Sequence, residues 1–455
     1  MGNDGPEESR GLRARPRPPI APHARRQARR RMSRRVGAAA IITFVAGVGI
    51  GLTYTASAAD IDLVADSADS PSLAPSGAAD ASAGDVGSPS AQPSIATPSA
   101  SPVSSPNPAA SPSPGSPPPP GPPLPTNVYA HDGVGMFSPL VAGDPERVYV
   151  PDEATGILFV IDPRTNRIVA RYHVGRSPEH VTPDWALRRL YVEVDFSDRL
   201  AIIDPRTSRL VGSVKVSGPY NLYFTPDGTT AILILDSSRA GAHQVSFYDR
   251  RTWRLLKRLA LPWPGADHLD FTADGRYALL STEYSGFVVK IDVVAMRVVT
   301  ALYVGGLPID VKLAPDGRYF YVANQGRGGV SVVDPVRMRQ VAFIRTGRGA
   351  HGLAVSRDAR HLFVTNRLAG TLSVIDFAAR RVIATWRIGG SPDMIAVSPD
   401  GTQLWISNRF NGTISVIDAR NGHRIALIRT GGRPHGLAFF PEPGRYSLGH
   451  NGVFR

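Results

Sequence analysis

Histidines and carboxylates recur at one repeated local position in this chain of 455 residues. Seven dipeptides hold that position, six of them with a histidine or carboxylate: Glu179-His180, Tyr220-Asn221, Asp267-His268, Ile309-Asp310, His351-Gly352, Asp393-Met394 and His435-Gly436. Imidazole and carboxylate together suit metal ligation or proton transfer. His180, His268, His351 and His435 are the candidate metal ligands, and Glu179, Asp267, Asp310 and Asp393 stand with them. A second set lies about fifteen to twenty residues further along each copy: Asp152, Asp198, Arg239, Glu283, Asn324, Arg327, Arg367 and Arg409. Its arginines suit an anionic ligand, which a guanidinium grips through two parallel hydrogen bonds. The histidines alternate between the two places of the dipeptide, so the four need not point one way. A wet channel is also lined by polar side chains when it binds nothing, and that structural reading stands beside the binding one.

A repeat must position these residues. The sequence apolar-apolar-Asp returns at Asp162, Asp204, Asp249, Asp292, Asp334, Asp376 and Asp418, at gaps of 42, 45, 43, 42, 42 and 42 residues. Such a period marks stacked supersecondary units. Each unit reads as four short strands. In one copy these are Met394-Ile-Ala-Val397, Gln403-Leu-Trp-Ile406, Thr413-Ile-Ser-Val-Ile417 and Arg424-Ile-Ala-Leu-Ile428, with Ser398-Pro-Asp-Gly401 as the first turn. The strands are β-branched and apolar, and Gly or Pro punctuates them. Four strands in ~42 residues is the blade of an all-β propeller. In that architecture the loops that open strand one and those joining strands two and three share a face, so both polar sets meet at one channel mouth. Strands two to four occur seven times. Strand one reads eight times, beginning near Phe137, Glu179, Tyr220, Asp267, Ile309, His351, Asp393 and His435. Arg445-Tyr-Ser-Leu-Gly-His450 imitates a strand two, and Asn127-Val-Tyr-Ala-His131 a strand four. Eight blades are therefore expected, the last built from both termini so that their pairing closes the ring. Seven is the alternative.

The motifs carry a resemblance. Tyr321-Val-Ala-Asn324, Phe363-Val-Thr-Asn366 and Trp405-Ile-Ser-Asn408 lie between Ser-Pro-Asp-Gly-type turns and Val-Ile-Asp endings. Over roughly 126–455 the chain resembles the YVTN-repeat β-propeller family and is similar to YncE-like extracytoplasmic proteins. Early copies depart from the motif: Asp152 and Asp236 replace its Asn, and Glu193-Val194 and Thr282-Glu283 break it further. The resemblance implies a binding scaffold. Related propellers include lactonases, quinoprotein dehydrogenases and haem d1 domains, so it also admits an enzyme or cofactor carrier working through the His/Asp ring. No catalytic motif is assembled in the sequence. Ser246, Ser331, Ser373 and Ser415 hold regular strand positions outside any nucleophile elbow, and the glycine-rich stretch Gly326-Arg-Gly-Gly329 precedes no helix. The residues name no cofactor.

The rest of the chain addresses location. Residues 1–36 hold eleven arginines against Asp4, Glu7 and Glu8. Residues 37–59 are uncharged and end in Ala56-Ser57-Ala58, which fits a signal peptide, yet the run is long enough for a transmembrane anchor. Residues 60–125 are a Ser/Pro/Ala-rich linker that cannot bury enough apolar surface to order itself. The expected protein is a monomeric propeller of the bacterial cell envelope, attached to the membrane through 37–59 or secreted, with an envelope polymer or protein as ligand. The chain has no cysteine, which excludes disulfides, thiolate metal sites and a cysteine nucleophile. Its net charge is +13, and the propeller region is itself basic. No aromatic-basic motif accompanies that charge, so a nucleic-acid partner is not expected.

Overall fold

The computed structural model describes residues 127–235 and 243–444. The leader, the apolar run at 37–59, the linker to 125, Asp236, Arg239 and the strand-like segment at 445–450 lie outside the described residues. Among the described residues, no helix is long and apolar enough to cross a membrane.

Seven four-stranded antiparallel sheets account for the repeat. Blades two to seven are continuous in sequence and cover 178–215, 219–260, 266–303, 308–345, 350–387 and 392–429. Blade one is composite. Its outer strands are β1 (Arg147–Asp152), β2 (Ile157–Asp162) and β3 (Arg167–His173), and its innermost strand is β28 (Ala438–Phe440). β28 pairs antiparallel with β1, Tyr149 against Ala438 and Arg147 against Phe440.

The expectation of eight blades is thus corrected to seven. The strand counted from His435 fills the strand-one slot of the blade that begins at Arg147, so seven copies of strands two to four need only seven first strands. The strand expected near Phe137 is only a pair of isolated bridges to Pro443 and Gly444. Asn127–His131 runs through turns, not a fourth strand. Pro139–Val141 forms a 3-10 turn capped by Ser138, whose side chain accepts the Leu140 amide. With Gly133, Gly135 and Gly143 around it, that stretch has no alternating pattern to pair as a strand. Among the described residues there is no eighth blade joined along its outer edge by both termini. Tyr129 instead anchors the N-terminal segment, its hydroxyl donating to the Leu313 carbonyl at 2.6 Å.

The burial pattern follows from the stacking. Inner strands are covered on both faces by neighbouring blades, so they read as continuous apolar runs; outer strands such as β3 alternate. Ile395, Val397, Leu404 and Ile406 of blade seven pack on Ala354, Phe363, Leu372 and Val374 of blade six. Strand turns are held by aspartate. Asp162, Asp204 and Asp334 each accept the amide two residues on, at 2.9 Å, a local bond that favours a turn over continued strand.

Candidate functional site

The channel mouth is shaped by a defect repeated in the first strand. In blade four Ala266 faces Thr282, yet Leu269 already faces Leu280. The same slip occurs from Pro178 to Val181, Pro308 to Val311, Ala350 to Leu353 and Pro392 to Ile395. Two residues stand against one, a bulge that re-aims side chains. Those two residues are the His/carboxylate dipeptides. The opposing hydroxyl takes up the amide that the bulge frees. Ser281 accepts His268 N at 3.1 Å, Thr365 accepts Gly352 N at 2.8 Å and Ser407 accepts Met394 N at 3.1 Å. The following Asn closes the loop: Asn366 donates to Thr371 and Ser373, and Asn408 to Thr413 and Ser415. This is the physical content of the Thr/Ser-Asn ending of the repeat.

Blade two puts Glu193 in the hydroxyl's place. The side chain is fully buried, and burial pushes its carboxyl up to about 8. The folded protein therefore keeps this group protonated, while the unfolded chain ionises it above its ordinary value of 4.5. Stability should decline as pH rises between those values, by on the order of a few kcal/mol. Glu193→Gln is expected to lack that decline and to melt several degrees above the parent at pH 8, with equal melting near pH 4. Equal melting at both would show that the carboxyl is hydrated.

Three histidines and a tyrosine plug the channel. The His180 ring lies 4.6 Å from that of His435, 5.4 Å from His268 and 5.1 Å from Tyr220, centre to centre. His180, His268 and His435 are buried. Gly436 makes room for them: a Cβ there would lie 1.8 Å from His180 Nδ1.

Above this floor the side chains form two different walls. One is a network of ion pairs. His435 Nδ1 meets Glu179 Oε2 at 2.8 Å. His351 Nδ1 lies 3.0 Å from Asp393 Oδ1, and Arg367 Nε donates to the same oxygen at 2.9 Å. Arg409 Nε donates to Glu153 Oε1 at 3.1 Å, and Arg433 lies 3.7 Å from that oxygen. Burial acts to raise the Asp393 and Glu179 carboxyls, but the facing charges prevail. Asp393 is held far below the usual range by Arg367, His351, His435 and Arg409, and Glu179 is lowered by the hydrogen bond and charge of His435 and by Arg409. Burial, then the charge of Arg367, drives His351 well below its ordinary value, so it is neutral at pH 7. The other wall holds Asp267 and Glu283. Burial first, then the charge of Asp267, pushes the Glu283 carboxyl up to about 8. The two walls enclose a cavity of about 420 Å³.

Of the sequence-predicted residues, Glu179, Asp267, Glu283, His351, Arg367 and Arg409 line this cavity. Asp393 and His435 sit behind them in the ion-pair network, and His180 and His268 lie in the floor. Asp310, Arg327, Asn324, Asp198 and Asp152 are not among its lining residues. Asp310 is a link between blades, its Oδ2 accepting the Leu353 amide at 2.8 Å. Arg327 stacks 4.1 Å over the Phe343 ring and donates to the Val304 carbonyl at 2.7 Å. Its loop explains this. Arg367 and Arg409 directly follow the motif Asn, whereas Arg327 is three residues beyond Asn324. Counting from that Asn would also have found Glu153, which directly follows Asp152. Asp152 itself accepts the Thr155 and Arg433 amides and closes its loop. Phe196, Tyr284 and Arg433 complete the cavity without having been assigned to it, and Tyr220 of the dipeptide set lines it with them.

Glu153, Glu179 and His435 can each bring one ligand atom within 4.8 Å of the others, the spacing of a metal site. His180, His268 and His351 are not part of that group. Arg409 already contacts it, at 3.1 Å from Glu153 and 3.4 Å from His435, so its acids are neutralised without a metal. The burial-opposed protonation of Arg409 is strengthened first by Asp393 and then by Glu153.

The sequence model of the family described as YNCE-like beta-propeller matches residues 136–443. No curated protein matches the sequence. Among solved structures, a functionally unknown protein from Desulfotomaculum acetoxidans DSM 771 is similar with a TM-score of 0.55 at 16% identity, over 64% of this chain and 98% of that one. Dihydro-heme d1 dehydrogenase NirN in complex with DHE is similar with a TM-score of 0.50 at 17% identity, over 64% of this chain and 74% of that one. Kuenenia stuttgartiensis hydrazine synthase gives 0.49 at 18% identity, over 56% and 87%. At these identities the likeness is one of fold.

Proposed function

Because the chain belongs to the YNCE-like beta-propeller family, we propose that it is an extracytoplasmic binding protein whose channel mouth holds a small polar ligand at the cell envelope. One observation carries this reading. The cavity is walled by charged side chains already locked to one another, as Arg367 is to Asp393 and Arg409 to Glu153. A wall ordered in advance loses little conformational freedom when a ligand arrives. Location outside the membrane draws on the arginine-flanked apolar run at 37–59 and on the Pro-rich spacer after it.

The test is a thermal-shift panel on the full-length protein, with small amines, inorganic anions, divalent metals and sugars. A ligand at one hundred times its Kd stabilises by about 2.7 kcal/mol. At least one class should raise the melting temperature of the parent protein. Phe196→Ala and Arg433→Ala, at exposed cavity positions, should reduce that rise. A rise unaffected by either change would place the ligand elsewhere. Chemical turnover of the bound compound would replace this reading with the enzyme alternative.

A further inference from the structure

The two walls of the mouth differ in what they leave unanswered. On the arginine wall every cation faces a carboxylate: Arg367 meets Asp393, Arg409 meets Glu153 and Arg433 approaches Glu153. On the opposite wall, among the described residues, neither Asp267 nor Glu283 has an arginine or lysine at ion-pair distance. Asp267 meets His268 Nδ1, and Glu283 faces Asp267, with Arg367 and Arg409 acting on it only at longer range. Both are on blade four and line the cavity. Three aromatic side chains line it with them: Tyr220 of blade three, Phe196 of blade two and Tyr284, which directly follows Glu283. Tyr284 is 61% exposed and Phe196 41%, large apolar surface placed at a charged opening.

Carboxylates beside aromatic faces have a chemical complement. An organic ammonium group offers positive charge to the acids and is attracted to the negative face of a ring. A hydrated divalent metal gains little from such rings, and it asks for more converging oxygens than this wall presents. Resting on the reading of the mouth as a binding site, we propose that the Asp267–Glu283 wall, with Tyr220, Tyr284 and Phe196, is the subsite for an organic ammonium group on the ligand. The protonated state of Glu283 supports this from another side. An arriving cation would supply the charge that favours the carboxylate, and the acid would release its proton to solvent.

The experiment is calorimetric titration of the full-length protein at pH 7 with choline, inorganic phosphate and Zn2+ in turn, each in buffers of different ionisation enthalpy. Choline should bind with release of part of one proton. Glu283→Gln, close in shape, should bind it at least tenfold more weakly and without that release. Tyr284→Ala, at an exposed position, should weaken choline by about threefold and leave folding unchanged. Phosphate binding that Arg433→Ala removes, with no choline binding, would overturn the ammonium subsite and leave the mouth as a binding site. Zn2+ binding that Glu283→Gln removes, again without choline, would make the wall a metal site and overturn the proposal. Binding by none of the three would overturn it as well. The wider panel of amines, anions, metals and sugars then decides the binding reading separately.

Discussion

Replacing Glu442 with alanine is expected to lower the stability of the propeller by about 3 kcal/mol, the upper end of what leaving a buried donor without its partner costs. Burial, opposed by the charge of Arg357, pushes the Glu442 carboxyl up to about 8, so at pH 7 the pair is held as a charge-assisted hydrogen bond. Glu442 lies two residues beyond β28. Its Oε2 accepts from Arg357 at 2.7 Å, and both side chains are almost fully buried. The same guanidinium donates to the carbonyls of Val397 at 3.0 Å and Ser398 at 3.2 Å. Arg357 belongs to the turn after the first strand of blade six, and the two carbonyls belong to blade seven. One side chain therefore ties the C-terminal segment to two blades. Without Glu442 the guanidinium keeps its charge in a buried place with only carbonyls for partners. The urea midpoint of Glu442→Ala should fall sharply. The double change Arg357→Met with Glu442→Leu should recover much of the loss, because it removes the buried charge and fills the space. A midpoint unchanged in Glu442→Ala would mean that water already reaches this pair.

Asp393→Asn is expected to be comparably damaging, and in a way that depends on pH. Asp393 is fully buried and is the shared acceptor of Arg367 and His351, with His435 at 3.7 Å and Arg409 at 3.9 Å. Its folded carboxyl is held far below the ordinary value of 3.8, so the unfolded chain takes up a proton first as pH falls. The stability contributed by this carboxylate is fully present above the unfolded value and is lost as pH drops towards the folded one. Asn keeps the shape and removes the charge, leaving Arg367 without its carboxylate. We expect a loss of about 3–5 kcal/mol at pH 7, with parent and variant converging below about pH 4 as the parent loses the same interaction. Denaturant midpoints measured from pH 7 down to 3 would check this. A gap that stayed constant with pH would assign the effect to shape and not to charge.

Much of the architecture was legible because it is periodic. The apolar-apolar-Asp ending, the aspartate turns and the Thr/Ser-Asn pair each mark a fixed place in a blade, and the opening dipeptides do fall on the bulges at the channel. The blade count was not legible. Residues 435–440 have the pattern of a first strand, and no local pattern says whose first strand it is. The site was legible only in part for the same reason. Glu153 and Arg409 are 256 residues apart, as are Glu179 and His435, and which side chains face across a channel depends on the number of blades and their rotation. Arg327 shows a finer limit. It shares residue type and loop with Arg367 and Arg409, yet two further positions along the loop turn it to the outer face and onto Phe343. Phe196 and Tyr284 read as ordinary loop aromatics until the ring places them around one opening beside Tyr220.

The composite first blade has a consequence for how the chain is made. β1 emerges early in synthesis, and its partner β28 is separated from it by nearly the whole propeller. Until β28 has been made, the inner edge of β1 offers unpaired backbone groups, the kind of template that recruits foreign strands. The nascent protein must therefore carry an open sheet edge from the synthesis of β1 until residues 438–440 are made, through six whole blades. A chain cut short before Ala438 leaves that edge open, so whether the product stays soluble depends on synthesis reaching β28.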